Sequence, residues 1–254
     1  MIRPYILAET NWKALKDSRF DLAILPWGAT EAHNYHLPYA TDNYQADSIV
    51  AESARIAWES GSKVIVLPTI PFGVNTGQHD IYLDININPS TQLAILRDII
   101  TVLNRQGIHK LLIFNGHGGN GFKPLVRELG LEFPQMFISF CFFPQMVDKA
   151  EYFKEKGDHA DEMETSLMLH LHPNLVLPKG DWGSGKAKKF RIQTLNEGWA
   201  WSERQWSKVT VDTGVGNPEF ASAEKGKRFY NDICLKLSEF YTSLCKADLD
   251  DLYE

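Results

Sequence analysis

Three apolar runs along this chain each break into a polar loop and then into a helical pattern, and that repetition restricts it to an α/β architecture. Asp21 to Gly28 (DLAILPWG) reads as a buried strand, followed by EAHNYHLPYATD and a helical stretch from about Asn43 to Ser60. Lys63 to Phe72 (KVIVLPTIPF) repeats the strand signal, and after a loop rich in Gly, Asn and Thr a helix opens at Pro89 and stops at Gly107. Lys110 to Phe114 (KLLIF) is the third strand, ending in NGHGGNG before a helix that begins near Phe122, and Met136 to Phe143 is a fourth. The pattern predicts a mostly parallel sheet with helices on both faces.

Beyond the fourth strand, Asp161 to His172 reads as a helix with Met163, Leu167 and Leu171 on one stripe. Residues 173–218 are irregular, and an irregular stretch of that length marks a functional segment or an interface. Ala221 to Leu244 then places Phe229, Ile233, Leu237, Phe240, Tyr241 and Leu244 at helical spacing. With 254 residues and 44% hydrophobic content, the whole chain fits one domain around one core.

The formal charge of −6 lacks the basic stripe that nucleic acid requires, and no run approaches the ~18 apolar residues of a membrane span. Cys141, Cys234 and Cys245 are odd in number and show no CxxC spacing, so neither a disulfide framework nor a zinc ribbon is expected. A small-molecule substrate and a reducing, cytoplasmic setting follow as expectations.

In an open parallel sheet, ligands collect at the carboxyl ends of the strands. Glu31, His33, His36 and Asp42 follow the first strand, His79 and Asp80 the second, and His117 the third. Glu31 and His33 are two residues apart, so in extended backbone both side chains point the same way. The glycines around His117 let its imidazole protrude from a tight turn. The same six residues, 116–121, also match GxGxxG between a strand and a helix, the signature of a nucleotide-binding oxidoreductase. Against that reading, the match lies in the third unit, and the strand after it ends without an acidic residue to hold a ribose.

In DHADEMETS, the acidic residues Asp161, Glu162 and Glu164 either complement a helix dipole or, for Glu164, reach the strand-end loops. Ser166 lacks a GxSxG elbow and Cys141 lies in an apolar strand, so nucleophilic catalysis is not indicated. Trp199, Trp201 and Trp206 are expected to serve packing or an oligomer contact.

The segments LPWGATEAHNYHLPYATD, LLIFNGHGGN, HADEMETSLML and DTGVGNPEFASAEKG, in that order, resemble the creatininase family of amidohydrolases. The resemblance implies an α/β/α layered fold, a homo-oligomer that is commonly a hexamer, and two divalent metals held by Glu31, His33, Asp42 and His117. It also implies a proton-handling role for His159. Two departures stand out. Creatininase proper has a carboxylate two residues after the NGH histidine, where this chain has Gly119, so Glu164 is expected to be the fifth ligand and to share the catalytic work with His159. Creatininase also holds creatinine with tryptophans that Leu131 to Asp158 lacks, which leaves the substrate open. Family relatives act on formamides and on an oxidised inositol.

The reading assembled from these residues has Asp42 shared between two ions, with Glu31 and His117 on one and His33 and Glu164 on the other. Zinc suits the mixed imidazole and carboxylate donors, and manganese or iron accept them. The expected reaction is hydrolysis of a small amide, with hydrolysis of a cyclic ketone as the alternative. Outside catalysis, the same residues could form a metal-binding scaffold.

Overall fold

The structure, a computed structural model, describes residues 2–254. Four strands, β1 (Leu22–Trp27), β2 (Val64–Val66), β3 (Lys110–Asn115) and β4 (Phe137–Phe142), form one sheet in the order β2-β1-β3-β4. All three pairings are parallel, with Ile24 opposite both Val66 and Leu112. Five helices flank them: α1 (Thr41–Glu59), α2 (Pro89–Arg105), α3 (Phe122–Glu132), α4 (Glu162–Leu171) and α5 (Ala223–Lys246).

Alternation along β1 divides the core in two. Leu22 and Ile24 face Ile49 and Val50 of α1, Leu167 of α4, and Phe229, Ile233 and Leu237 of α5. Ala23, Leu25 and Trp27 face Leu96 and Ile100 of α2 and Phe122 and Leu129 of α3. Because both faces are covered, every residue of β1 is buried, which is why the strand is a continuous apolar run. Helices on both faces make the expected α/β/α layers.

The chain leaves β1 toward one edge of the sheet and β3 toward the other, so the loops after β1 and β3 part at a topological switch point. Those loops carry Glu31, His33 and His117. β2 is shorter than expected, since Pro68 has no amide to donate and beyond it the chain adds only a single bridge from Ile70 to Trp27. α1 starts at Thr41, which places Asp42 in its first turn instead of in the preceding loop. Phe240, expected on the buried stripe of α5, is partly exposed, while Tyr241 fills the core. Residues 173–218 hold only short single turns, as at Gln193–Asn196 and Trp206–Val209. Among the described residues no helix is long and apolar enough to cross a membrane.

α4 packs against α5 at Gly226, where a Cβ would strike the Ser166 carbonyl. Helix propensity alone says that Gly226→Ala stabilises by ~0.8–1 kcal/mol. Overpacking says the reverse, by about 1–3 kcal/mol, so the variant is expected to melt lower by ~2–4 °C per kcal/mol. A melting temperature equal to or above that of the parent protein would contradict this contact.

Candidate metal centre

At the switch point, the chain leaving β1 makes single bridges at Thr30 and His33 and then reverses at Asn34, whose φ of 54° lies in the left-handed region that asparagine tolerates. Thr213 Oγ1 accepts from the Asn34 amide at 2.9 Å, and the Asn34 side chain both donates to and accepts from the Gly183 backbone. This anchoring aims Glu31 and His33 inward. Asp42 enters from the first turn of α1, His117 from the loop after β3, His159 from just before α4, and Glu164 from the first turn of α4. All six are buried.

Each imidazole is held on its outer nitrogen by a main-chain carbonyl: His33 Nδ1 lies 3.0 Å from Glu31 O, His117 Nε2 lies 3.0 Å from Val74 O, and His159 Nε2 lies 2.8 Å from Ala32 O. A carbonyl only accepts, so these nitrogens carry the ring proton and the other nitrogen faces the site. There, His33 Nε2 is 3.1 Å from Asp42 Oδ1, and His117 Nδ1 is 2.8 Å from Glu31 Oε1 and 3.1 Å from Asp42 Oδ2. Neutral rings would set lone pair against lone pair, so positive charge belongs between them.

The residues fit divalent cations on two counts. Glu31 Oε1 and Asp42 Oδ2 are buried and share His117 Nδ1, at 2.8 and 3.1 Å, as their nearest possible donor, one for two carboxylate oxygens, a shortfall that a cation would make good. The donor atoms also form three sets, each within 4.8 Å: Glu31 with Asp42 and His117, His33 with Asp42 and Glu164, and Glu31 with His33 and His159. Asp42 belongs to the first two and presents a different oxygen to each histidine.

Electrostatics give the same picture. Burial disfavours charge on His33, yet Asp42 and Glu31 outweigh it and carry the imidazole up to about 10. His117 rises well above its ordinary value against the same burial penalty, through Glu31 and Asp42. Burial pushes Asp42 up, but His33 and His117 hold it well below the usual carboxylate range. Burial, helped by Asp42 and Asp161, lifts Glu164 to about 8. His159, buried and beside His33, is lowered.

The acidic residues opening α4 separate into three roles. Asp161 caps the helix by accepting from Met163 N and Glu164 N, and Glu162 binds Lys225 and the amides of Lys154 and Glu155. Glu164 reaches the site, where Oε2 takes the amide of Ala160, a residue held at φ 48°. Gly119 could not carry a carboxylate in this conformation, since a Cβ there would meet the Val74 carbonyl and the His117 ring. The glycines of GHGGNG thus seat His117, and Asn120 fills the space before α3 by bonding Val74 N, Gln92, Asn115 and Gly28 O.

Three expected candidates lie elsewhere. His36 bonds Thr165 Oγ1 at 2.9 Å and stacks on Trp182, away from the cluster. His79 and Asp80 are exposed, with Asp80 tied to Ser207. The second strand-end loop instead supplies Gln78, which donates to Glu31 Oε2, and Asp84, which accepts from Ala32 N at 2.6 Å and is pushed by burial up to about 7. Nothing in the sequence singled these two out. Val215 was missed as well; it pairs with His159 through both backbone directions. Trp206 and His159 pack edge to face with ring centres 4.7 Å apart, and Trp201 joins Trp206 on the wall of a cavity of about 240 Å³ that opens onto Glu31, Asp42, His117 and Glu164.

A three-layer sheet domain that gathers potential metal-ligand groups at its switch point defines a class of metal-binding α/β proteins. The family profile described as "Creatininase: Creatinine amidohydrolase" matches residues 8–241, and the chain belongs to the creatininase family of hydrolases. A Bacteroides fragilis NCTC 9343 structure, provisionally called a creatinine amidohydrolase, is 43% identical, covers 100% of both chains and superposes with a TM-score of 0.93. Solved creatininases described as Zn-Zn type and as Mn, 21% and 20% identical over 96% of this chain and 99% of theirs, share the fold with TM-scores of 0.76 and 0.81. The mycofactocin precursor peptide peptidase of Mycobacterium tuberculosis CDC 1551 is 28% identical over 82% of this chain and 79% of its own. The creatinine amidohydrolase of Pseudomonas putida is 26% identical over 69% and 75%. The 3-dehydro-scyllo-inosose hydrolase of Thermotoga maritima is 26% identical over 82% and 72%.

Metal uptake is expected to depend on pH in a direction the site dictates. His33, raised to about 10, and Glu164, raised to about 8, hold protons at neutral pH that a cation must displace. Zinc added to chelator-stripped protein at pH 7 should release protons, and its apparent affinity should rise by about tenfold per pH unit for each proton displaced. Isothermal titration in buffers of different ionisation enthalpy between pH 6 and 8 checks this. Affinity independent of pH, with no proton release, would contradict it.

Proposed function

We propose that this chain hydrolyses the C–N bond of a small amide with two divalent cations, one held by Glu31, Asp42 and His117 and the other by His33, Asp42 and Glu164. The observation that carries the reading is Asp42, whose two oxygens face two separate histidines within two donor sets. When bound, such ions acidify water toward neutrality and polarise a carbonyl oxygen. Zinc fits these donors best, and manganese accepts them.

The chain's own groups then handle orientation and protons. His33 and His117 keep their lone pairs inward because Glu31 O and Val74 O hold their outer N–H groups. His159 donates at Nε2 to Ala32 O, so Nδ1, 3.6 Å from Glu31 Oε1, is the atom that takes up a proton and passes it to the departing nitrogen. A lowered pKa keeps this ring neutral and ready to accept. Glu164, whose carboxylate gives up its proton when a cation binds, shares the catalytic work by holding the second ion beside the reacting carbonyl.

The inosose hydrolase relative supports a second reading in which the same groups act on a cyclic ketone. Creatinine is not the substrate proposed, since residues 131–158 carry no tryptophan. A homo-oligomer in the cytoplasm completes the reading, on the family resemblance and on the unpaired cysteines.

A panel of formamides, cyclic amides, short peptides and cyclic ketones, assayed with zinc and with manganese, tests the reaction class. Turnover of an amide is the expected result, and turnover of the ketone alone would replace this reading with the second. His159→Asn should keep fold and metal content while lowering kcat by ~10²–10⁴. Unchanged kcat would remove His159 from the chemistry, and loss of a metal would make it a ligand.

A further inference from the structure

Beside the metal cavity lies a second, larger cleft of about 1170 Å³, walled chiefly by residues 182–190 and 215–219 with Lys179, Arg204, Lys208 and Val209. Six lysines line it, namely Lys156, Lys179, Lys186, Lys188, Lys189 and Lys208, together with Arg204. Only two carboxylates, Asp158 and Glu219, face them. This is the reverse of the chain as a whole, whose formal charge is −6. Among the described residues the lysine ion pairs are elsewhere, at Lys16, Lys149 and Lys225. The cleft therefore concentrates six lysines without an ion pair among the described residues, Arg204 alone being paired, with Asp158.

The cleft and the metal cavity share a wall. Asp158 and Arg204 line both, their side chains 3.0 Å apart, and the Arg204 guanidinium lies 4.9 Å from the centre of the Trp206 ring that packs on His159. A molecule reacting beside His159 would extend past Arg204 into the basic cleft. The metal cavity, at about 240 Å³, admits a small group only. The cleft exceeds the ~300–1,000 Å³ of a drug-sized pocket, and its cations are spread along three segments instead of converging on one point.

The geometry points to an extended acidic peptide as the substrate class, its scissile amide at the metal cavity and its carboxylates in the lysine-lined cleft. This rests on the amide-hydrolase reading and narrows it. Spread cations suit several carboxylates along a chain, whereas a phosphoryl group calls for donors gathered on one centre. Their field would also raise the on-rate of an anionic partner at low salt.

The experiment is fluorescence anisotropy on the metal-loaded protein with labelled octapeptides of alternating Gly and Glu, Gly and Lys, or Gly and Ser. The Glu peptide is expected to bind at least about tenfold tighter than the Ser peptide at 50 mM NaCl and to lose most of that advantage at 300 mM. The exposed substitutions K186E and K188E together should lower its affinity by about tenfold while leaving metal content and turnover of an unextended amide unchanged. Equal binding of the Glu and Ser peptides, or no effect of K186E and K188E, would overturn the proposal. Tripolyphosphate binding with none of the Glu peptide would overturn it too, in favour of a phosphate site. If the Glu peptide binds as expected and no amide in the panel is hydrolysed, the cleft stands and the reaction class falls; amide turnover without peptide binding is the converse.

Discussion

The buried carboxylate of Asp42 sets the terms for everything around it. A carboxylate removed from water needs positive charge within a few ångströms, and Asp42 finds it on two sides, from His33 at Oδ1 and from His117 at Oδ2. Its place in the first turn of α1 adds the favourable end of a helix dipole. Glu31 stays charged in the same volume, while Glu164, lifted by burial, holds a proton until a cation displaces it and His159 stays neutral. Protons on His33 and His117 balance Asp42 and Glu31, and divalent cations bound in their place would balance all three carboxylates.

The surrounding structure keeps those groups from relaxing toward one another. Gln78 fixes the second oxygen of Glu31, Asp84 holds the Ala32 amide, and the Ala32 carbonyl orients His159. Val215 clamps the backbone of His159 from the segment that precedes α5, while Asp212 secures that segment by accepting from Gly185 N and Gly214 N. The loops after β1, β2 and β3 and the first turn of α4 are thereby tied into one unit. These outer partners account for the motif DTGVGNPEF, which supplies no donor to the centre and yet determines where His159 sits.

Much of this was legible in the sequence because it follows from periodicity and strand ends. DLAILPWG and KLLIF are buried on both faces and read as strands, and Met163 and Leu167 lie on the buried stripe their spacing implied. Glu31, His33, Asp42, His117 and Glu164 do come together. What the sequence concealed depends on distance across the fold. His79 looked like a donor because it follows a strand, but one residue of difference in a tight turn exposes it and sends Gln78 inward. His36 shares a loop with His33, and the reversal at Asn34 turns it toward Thr165. The basic cleft was equally hidden, since its lysines come from three segments and average away in a chain of net negative charge.

If Asp42 joins two cations as proposed, metal content measures it directly. Elemental analysis of protein saturated with zinc and passed through a desalting column should approach two ions per chain, and Asp42→Ala should fall to one or fewer with the fold intact by circular dichroism. A value near one in the parent protein, unchanged in Asp42→Ala, would contradict it.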